Sequence, residues 1–271
     1  MSDKPTFCEP CGVEVMPPPG GGPVIRFVNV DKILEGRKVL DGVTLEIPRQ
    51  RITVIVGLSG AGKSVSLKLM VGLMKPDRGQ VLINGADINH LARKELYEIR
   101  RRFGMLFQGG ALFDSLTVFE NVAFPLRETS SLPEEEIRAR VTTRLAQVGL
   151  EEHEEKYPDE LSGGMVRRVA FARAMATDPE IILFDEPTTG LDPIIRNSIL
   201  HLICHMYHEH RFTMVMISHD IPDIFRWCHN VIVLHGGRVI EAGPTDAVVN
   251  SVNPFVLQLI TGDIQGPVRV M

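Results

Sequence analysis

Arg51-Ile52-Thr53-Val54-Ile55-Val56-Gly57-Leu58-Ser59-Gly60-Ala61-Gly62-Lys63-Ser64 decides the architecture. After Arg51 the run to Val56 is β-branched at every position, as in a strand buried on both faces. A glycine-rich turn follows, and then a helical stretch from about Lys63 to Leu73. The turn matches the pattern GxxxxGK[ST] at every position. Glycines there let backbone N–H groups turn inward around phosphate oxygens. The helix that follows points its positive N-terminal end at the same anion. Lys63 supplies a point charge for β- and γ-phosphates, and Ser64 offers a hydroxyl to Mg²⁺. With Val65, residues Gly57 to Ser64 form the candidate phosphate-binding segment. The bland reading, a glycine turn without function, has the flanking strand and helix against it.

Outward from this stretch the chain alternates. Val24 to Val30 and Val43 to Ile47 read as strands before it. Gln80–Ile83, Phe103–Phe107, Ile181–Phe184, Thr213–Ser218, Val231–Leu234 and Arg238–Glu241 read as strands after it, with helices between most of them. This predicts an α/β fold with a mostly parallel central sheet. Between Phe107 and Asp178 the pattern changes. Pro133-Glu134-Glu135-Glu136 opens a helix with acids in its first turn, where they suit the dipole; it runs to about Val148. A second helix is predicted from about Gly163 to Ala176, so the block reads as an inserted helical subdomain.

Ile181-Ile182-Leu183-Phe184-Asp185-Glu186 carries the second piece of chemistry. Four apolar residues form a buried strand that delivers Asp185 at its C-terminal end, where a carboxylate can hold Mg²⁺. The neighbouring Glu186 can polarise an attacking water as general base. An acidic helix cap is the alternative reading, and the phosphate segment upstream counts against it.

Leu161-Ser162-Gly163-Gly164-Met165, followed by Arg167, Arg168 and a helix, closely resembles the signature motif of ABC ATPases. Other motifs of that family stand in the family's order. Gln108 after a strand resembles the Q-loop, Gly190-Leu191-Asp192 the D-loop, and His219 in Ser218-His219-Asp220 the switch histidine. The resemblance covers about residues 24–245. It implies a P-loop NTPase (RecA-like) core with an antiparallel β edge and an inserted α-helical subdomain at about 108–178. Residues 1–23, with their Pro17-to-Pro23 linker composition, would be a flexible tail, and 246–271 a C-terminal extension. The resemblance further implies a homodimer that hydrolyses ATP. Each ATP would lie between the P-loop of one subunit and the signature of the other, gripped by Ser162, Gly163 and Gly164 at a helix N-terminus. Gln108 would contact Mg²⁺ or the water, His219 would bond the γ-phosphate and orient Glu186, and Asp192 would reach across the dimer. Family members often stack an aromatic residue on adenine just before the second strand. The matching stretch, Lys32 to Arg37, has none; Leu34 is the substitute, which predicts a weak preference for ATP over GTP.

Gln108 to Glu128 and a signature ending in Met165 with two arginines after it narrow the branch. Together with Leu259 to Val268, they resemble ATPases of the Mla type, which serve MCE-protein phospholipid transporters of Gram-negative envelopes and plastids. That implies two copies of a membrane permease and an MCE-type substrate-binding subunit as partners, at the cytoplasmic face of the inner membrane. An ABC ATPase for another cargo, or a soluble one of the iron–sulfur assembly type, shares the catalytic motifs. Phe107, Leu112, Phe113, Leu116, Val118 and Phe119 make an apolar set too dense for an exposed loop. It reads either as the surface that cups a short permease helix or as subdomain core.

Composition agrees. A length of 271 residues suits one large α/β domain or two small ones. A net charge of −5, a single Trp and three Tyr argue against nucleic-acid binding. No stretch approaches the ~20 apolar residues of a spanning helix, and the N-terminus lacks the apolar core of a secretory signal. A cytoplasmic chain is expected, with Cys8, Cys11, Cys204 and Cys228 as thiols. Cys8-x-x-Cys11 reads as half a metal site or as part of a disordered tail. His201, His205 and His208 share a helix face with Cys204 nearby and read as a metal patch or as a plain helix.

Overall fold

The computed structural model describes residues 22–268. In chain order its elements are β1 Ile25–Leu34, β2 Arg37–Ile47, β3 Ile52–Val56, α1 Lys63–Met70, β4 Arg78–Ile83, β5 Ala86–Asp87, α2 Arg93–Arg100 and β6 Phe103–Leu106. Then come α3 Val118–Thr129, α4 Glu134–Gln147, α5 Gly163–Met175, β7 Ile181–Asp185, α6 Pro193–His210, β8 Thr213–Ile217, β9 Asn230–His235, β10 Arg238–Pro244, α7 Thr245–Val249 and α8 Pro254–Thr261. The described residues form two compact units, one of 22–96 and 213–268, the other Tyr97–Phe212.

In the first unit, β1 lies between β2 and β4, antiparallel to both, with β5 outside β4. Glu35 and Gly36 turn the β1–β2 hairpin with positive φ of 49° and 76°, the backbone hand that suits tight hairpins. β2 starts earlier than the sequence pattern predicts. Register shifts along β1–β2 and a φ of +63° at Gly42 interrupt the alternation without ending the pairing. β3 runs parallel to β8 on one side and β9 on the other, and all five of its residues are buried. That is the environment a β-branched run requires. β10 closes the edge antiparallel to β9. Helix α1 stops at Met70, short of Leu73, because Gly72 takes φ +67°.

In the second unit, β6 and β7 pair in parallel, while α3, α4 and α5 pack on one another. Helices α4 and α5 begin and end within a residue or so of their predicted limits. Helix α3 was not predicted. Thr117 caps it: its Oγ1 accepts from the Glu120 N–H at 3.2 Å, and the Glu120 carboxylate accepts from the Thr117 N–H at 2.9 Å. This T-x-x-E capping box was present in the sequence. It stands inside an apolar run that drew attention to surface rather than to periodicity. The run divides: Val118 and Phe119 are core, whereas Phe107 and Phe113 stay substantially exposed.

Asn121 holds the segment leading into α3. It is fully buried. Its Oδ1 accepts from the Phe113 N–H at 2.8 Å, and its Nδ2 faces the carbonyls of Phe113 at 3.1 Å, Leu116 at 3.0 Å and Thr117 at 3.0 Å. Without the amide these backbone groups would be buried and unpaired, a cost of about 1–3 kcal/mol for each lost pairing. Asn121→Leu, close in volume but without donors, is expected to lower unfolding free energy by about 2–3 kcal/mol, measured by urea denaturation.

Candidate functional site

The phosphate segment belongs wholly to the first unit. It leaves β3 at Gly57 and enters α1 at Lys63. Gly57 has φ +149°, and a Cβ there would stand 2.1 Å from the Leu234 carbonyl oxygen. Only glycine lets the strand turn away at this point. Gly62, left-handed at φ 97°, occupies the N-cap position of α1 and gives no side-chain cap. The first turn of α1 carries no acid either. A helix start with neither cap nor carboxylate is one whose N–H groups suit an external anion. Lys63 is 6% exposed. Its Nζ donates to the Gly57 and Leu58 carbonyls at 2.8 and 3.0 Å, which places the ammonium inside the loop that would wrap a phosphate. The residues therefore fit a nucleoside phosphate chain. Leu34 ends β1 and is half-buried, and His219 is exposed two residues after β8.

The remaining predicted residues belong to the second unit. Asp185 is the last residue of β7. Glu186 follows with φ 52°, a left-handed conformation that costs about 1–3 kcal/mol for a residue with a Cβ. Its Oε2 accepts from Gln108 Nε2 at 3.2 Å and from Thr189 Oγ1 at 3.1 Å. Two hydrogen bonds to a carboxylate, at about 1.5–3 kcal/mol each, offset that strain and fix the side chain. The structure thus brings Gln108 to Glu186 directly, a pairing that sequence reasoning missed. It also missed Thr189, whose only signal was a hydroxyl three residues after the acid.

Ser162 caps α5, its Oγ accepting from the Met165 N–H at 3.3 Å, and with Gly163 it is exposed. A Cβ on Gly164 would come 2.8 Å from Ile195 Cγ2, so α6 packs against the signature without room for a side chain. Asp192 caps α6, with Oδ1 accepting from the Ile194 and Ile195 N–H groups at 3.0 and 3.1 Å. Its role within the chain is to start a helix. From α5, Arg173 donates to the carbonyls of Ala111 and Gly110, each at 2.8 Å, and so clamps the loop that follows Gln108.

Other candidates fare differently. Cys8 and Cys11 lie outside the described residues. Cys204 is buried on α6. Cys228 is a buried free thiol. His201 and His205 are exposed on α6, with His205 Nε2 3.4 Å from Glu209. Among the described residues no three His, Cys, Asp or Glu side chains group closely enough to hold a metal ion. Nor is any helix among them long and apolar enough to cross a membrane.

Comparison with known proteins accords with these features. The family model described as "ABC transporter" matches residues 40–189. The intermembrane phospholipid transport system ATP-binding protein MlaF of Haemophilus influenzae is 43% identical over 233 residues, which span 86% of this chain and 88% of that protein. The probable ribonucleotide transport ATP-binding protein mkl of Mycobacterium leprae is 40% identical over 247 residues, 91% of this chain and 71% of that one. The dimeric post-hydrolysis structure of the ATP-binding cassette MJ0796 with ADP and Pi superposes with a TM-score of 0.74 at 35% identity, covering 82% of this chain and 98% of the other. A glycine-lined phosphate loop, a strained glutamate held by a glutamine, and a serine-capped LSGG helix thus occur together in a chain that belongs to the ABC transporter family, as one of its ATP-hydrolysing ATP-binding cassettes.

Proposed function

We propose that this cassette powers phospholipid transport across an envelope, as a homodimer beneath two copies of a membrane permease with an MCE-type subunit. The observation that carries the cargo is the 43% identity with a phospholipid-transport ATPase along 86% of the chain. The ATPase domain would span residues 24–245, with the helical subdomain at about 108–178, residues 1–23 as a tail and 246–271 as a C-terminal extension. The chain would sit at the cytoplasmic face of the inner membrane, held by the permease.

The chemistry follows from the side chains. The loop from Gly57 to Val65 would surround the phosphates, with Lys63 as counter-charge to the β- and γ-groups. Leu34 would lie against the base. Mg²⁺, when bound, neutralises charge on those phosphates, and Ser64, Gln108 and Asp185 are the residues that would hold it. Glu186 takes a proton from the attacking water as the oxygen closes on the γ-phosphorus and ADP leaves. His219 would bond the γ-phosphate. Ser162, Gly163 and Gly164 of the partner would grip the same phosphate from a helix N-terminus, so ATP cements the dimer and hydrolysis releases it. Asp192 would reach across the dimer near that contact.

An apolar groove of about 290 Å³ in the second unit is lined by Phe107, Phe113, Phe124, Pro125 and Arg173, among others. Phe107, Phe113 and Phe124 are 37%, 44% and 38% exposed, and the rings of Phe113 and Phe124 lie 4.8 Å apart. We assign this groove to a short cytoplasmic helix of the permease. A second reading, ribonucleotide transport, has the mycobacterial relatives in its favour and shares every catalytic residue.

Glu186→Gln is expected to bind ATP with wild-type affinity and to hydrolyse it at least about 100-fold more slowly; near-normal turnover would refute the assigned base. The same variant, tagged and drawn from detergent-solubilised membranes, is expected to bring a multi-spanning permease, an MCE-type protein and phospholipid, identified by mass spectrometry. A different permease with bound nucleotide cargo would replace the first reading by the second. Phe113→Glu should leave hydrolysis by the purified chain intact while abolishing transport-coupled turnover in the assembled complex; unchanged coupling would remove the groove assignment. With an aliphatic Leu34 at the base, steady-state turnover of ATP and GTP should agree within about threefold, and a strong ATP preference would rule that contact out.

A further inference from the structure

Arg167 stands one turn into α5 from the serine cap and is 8% exposed. Its Nη2 donates to the Thr189 carbonyl at 3.2 Å, while its Nε is buried without a partner. Gly109, next to Gln108, lies beside Nη1: a Cβ there would stand 3.9 Å away. The adjacent Arg168 is engaged differently, donating to the Val148 carbonyl at 2.8 Å and to Ser198 Oγ at 2.9 Å. A guanidinium buried with so few partners opposes folding, and burial depresses its pKa. An apolar residue would pack α5 at lower cost, so bracing the helix does not account for the charge.

What it touches does. Thr189 closes the turn after Glu186, its N–H on the Glu186 carbonyl at 3.4 Å and its hydroxyl on Glu186 Oε2 at 3.1 Å. Thr189 is itself exposed, and the guanidinium anchors its carbonyl to a buried helix. We propose that Arg167 is a positioning residue for hydrolysis, holding the Thr189 carbonyl so that the Thr189 hydroxyl aims the Glu186 carboxylate. This rests on Glu186 being the general base. The helix that presents the signature to a partner's nucleotide thereby also sets the base of its own site.

The test is steady-state hydrolysis by the purified full-length chain carrying Arg167→Met, Arg167→Lys, Thr189→Val, or Arg167→Met with Thr189→Val. Arg167→Met should lower kcat about 10–50-fold with KM for ATP within about twofold, and Arg167→Lys should recover most of the loss. In the Thr189→Val background the Met substitution should cost no more than about twofold further, because the group it acts through is gone. Wild-type kcat in Arg167→Met, or equal losses in both backgrounds, would overturn the proposal. If Arg167→Met does not fold, Thr189→Val alone decides: a kcat loss of about tenfold at constant KM supports the chain of contacts, and wild-type kcat breaks it. Normal hydrolysis by Glu186→Gln would remove the underlying base assignment instead, whereas an inactive Glu186→Gln beside a neutral Arg167→Met removes only this inference.

Discussion

Loops cannot hold themselves where successive residues turn left-handed, because their backbone groups then miss any ladder. The second unit meets this constraint with guanidinium groups projecting from one helix. Gly109, Gly110 and Ala111 all have positive φ, and Arg173 donates to the carbonyls of Gly110 and Ala111. Glu186 is left-handed too, and the turn it opens is tied to the same helix through Arg167 and the Thr189 carbonyl. Hydrogen bonds from a charged donor are worth about 1.5–3 kcal/mol, which matches the strain of a non-glycine residue in that region. Helix α5 is therefore the beam from which the glutamine loop, the glutamate turn and the capped signature are all hung.

The first unit solves the opposite problem. A phosphate chain needs backbone N–H groups left available, so the loop after β3 must avoid satisfying itself. Gly57 passes the Leu234 carbonyl where no Cβ fits, and α1 begins without a side-chain cap. Lys63 sits inside the loop on two of its carbonyls. It can exchange those neutral acceptors for phosphate oxygens with little rearrangement, and charge-assisted bonds are the stronger ones.

The aromatic groove shows how magnitude limits a reading. Three rings about 40% exposed leave roughly 240 Å² of apolar surface, worth roughly 6 kcal/mol if fully covered. Association itself costs about 4–15 kcal/mol. The groove alone would then hold a partner weakly, and a stable complex would need further contacts around it. The nearby Asn121 holds the Phe113 backbone, so the groove has a fixed wall.

Much of the architecture could be read in advance because its signals are local. A β-branched run, a glycine loop and a helix succeed one another within the stretch from Arg51 to Met70, and the acids of α4 announce its first turn. Helix α3 escaped because its capping box lies inside a run whose apolar density also fits a surface. The strand β2 was read short because bulges break the alternation on which strand reading depends. Motif order singled out the candidate phosphate loop, glutamate, signature and glutamine, since each needs particular residue types at close spacing. Which side chain holds which backbone could not be read that way. Arg167 reaches a carbonyl 22 residues on, and Gln108 meets a glutamate 78 residues away. Hydrogen bonds across such separations leave no period in the chain; they exist only after packing has brought the partners together.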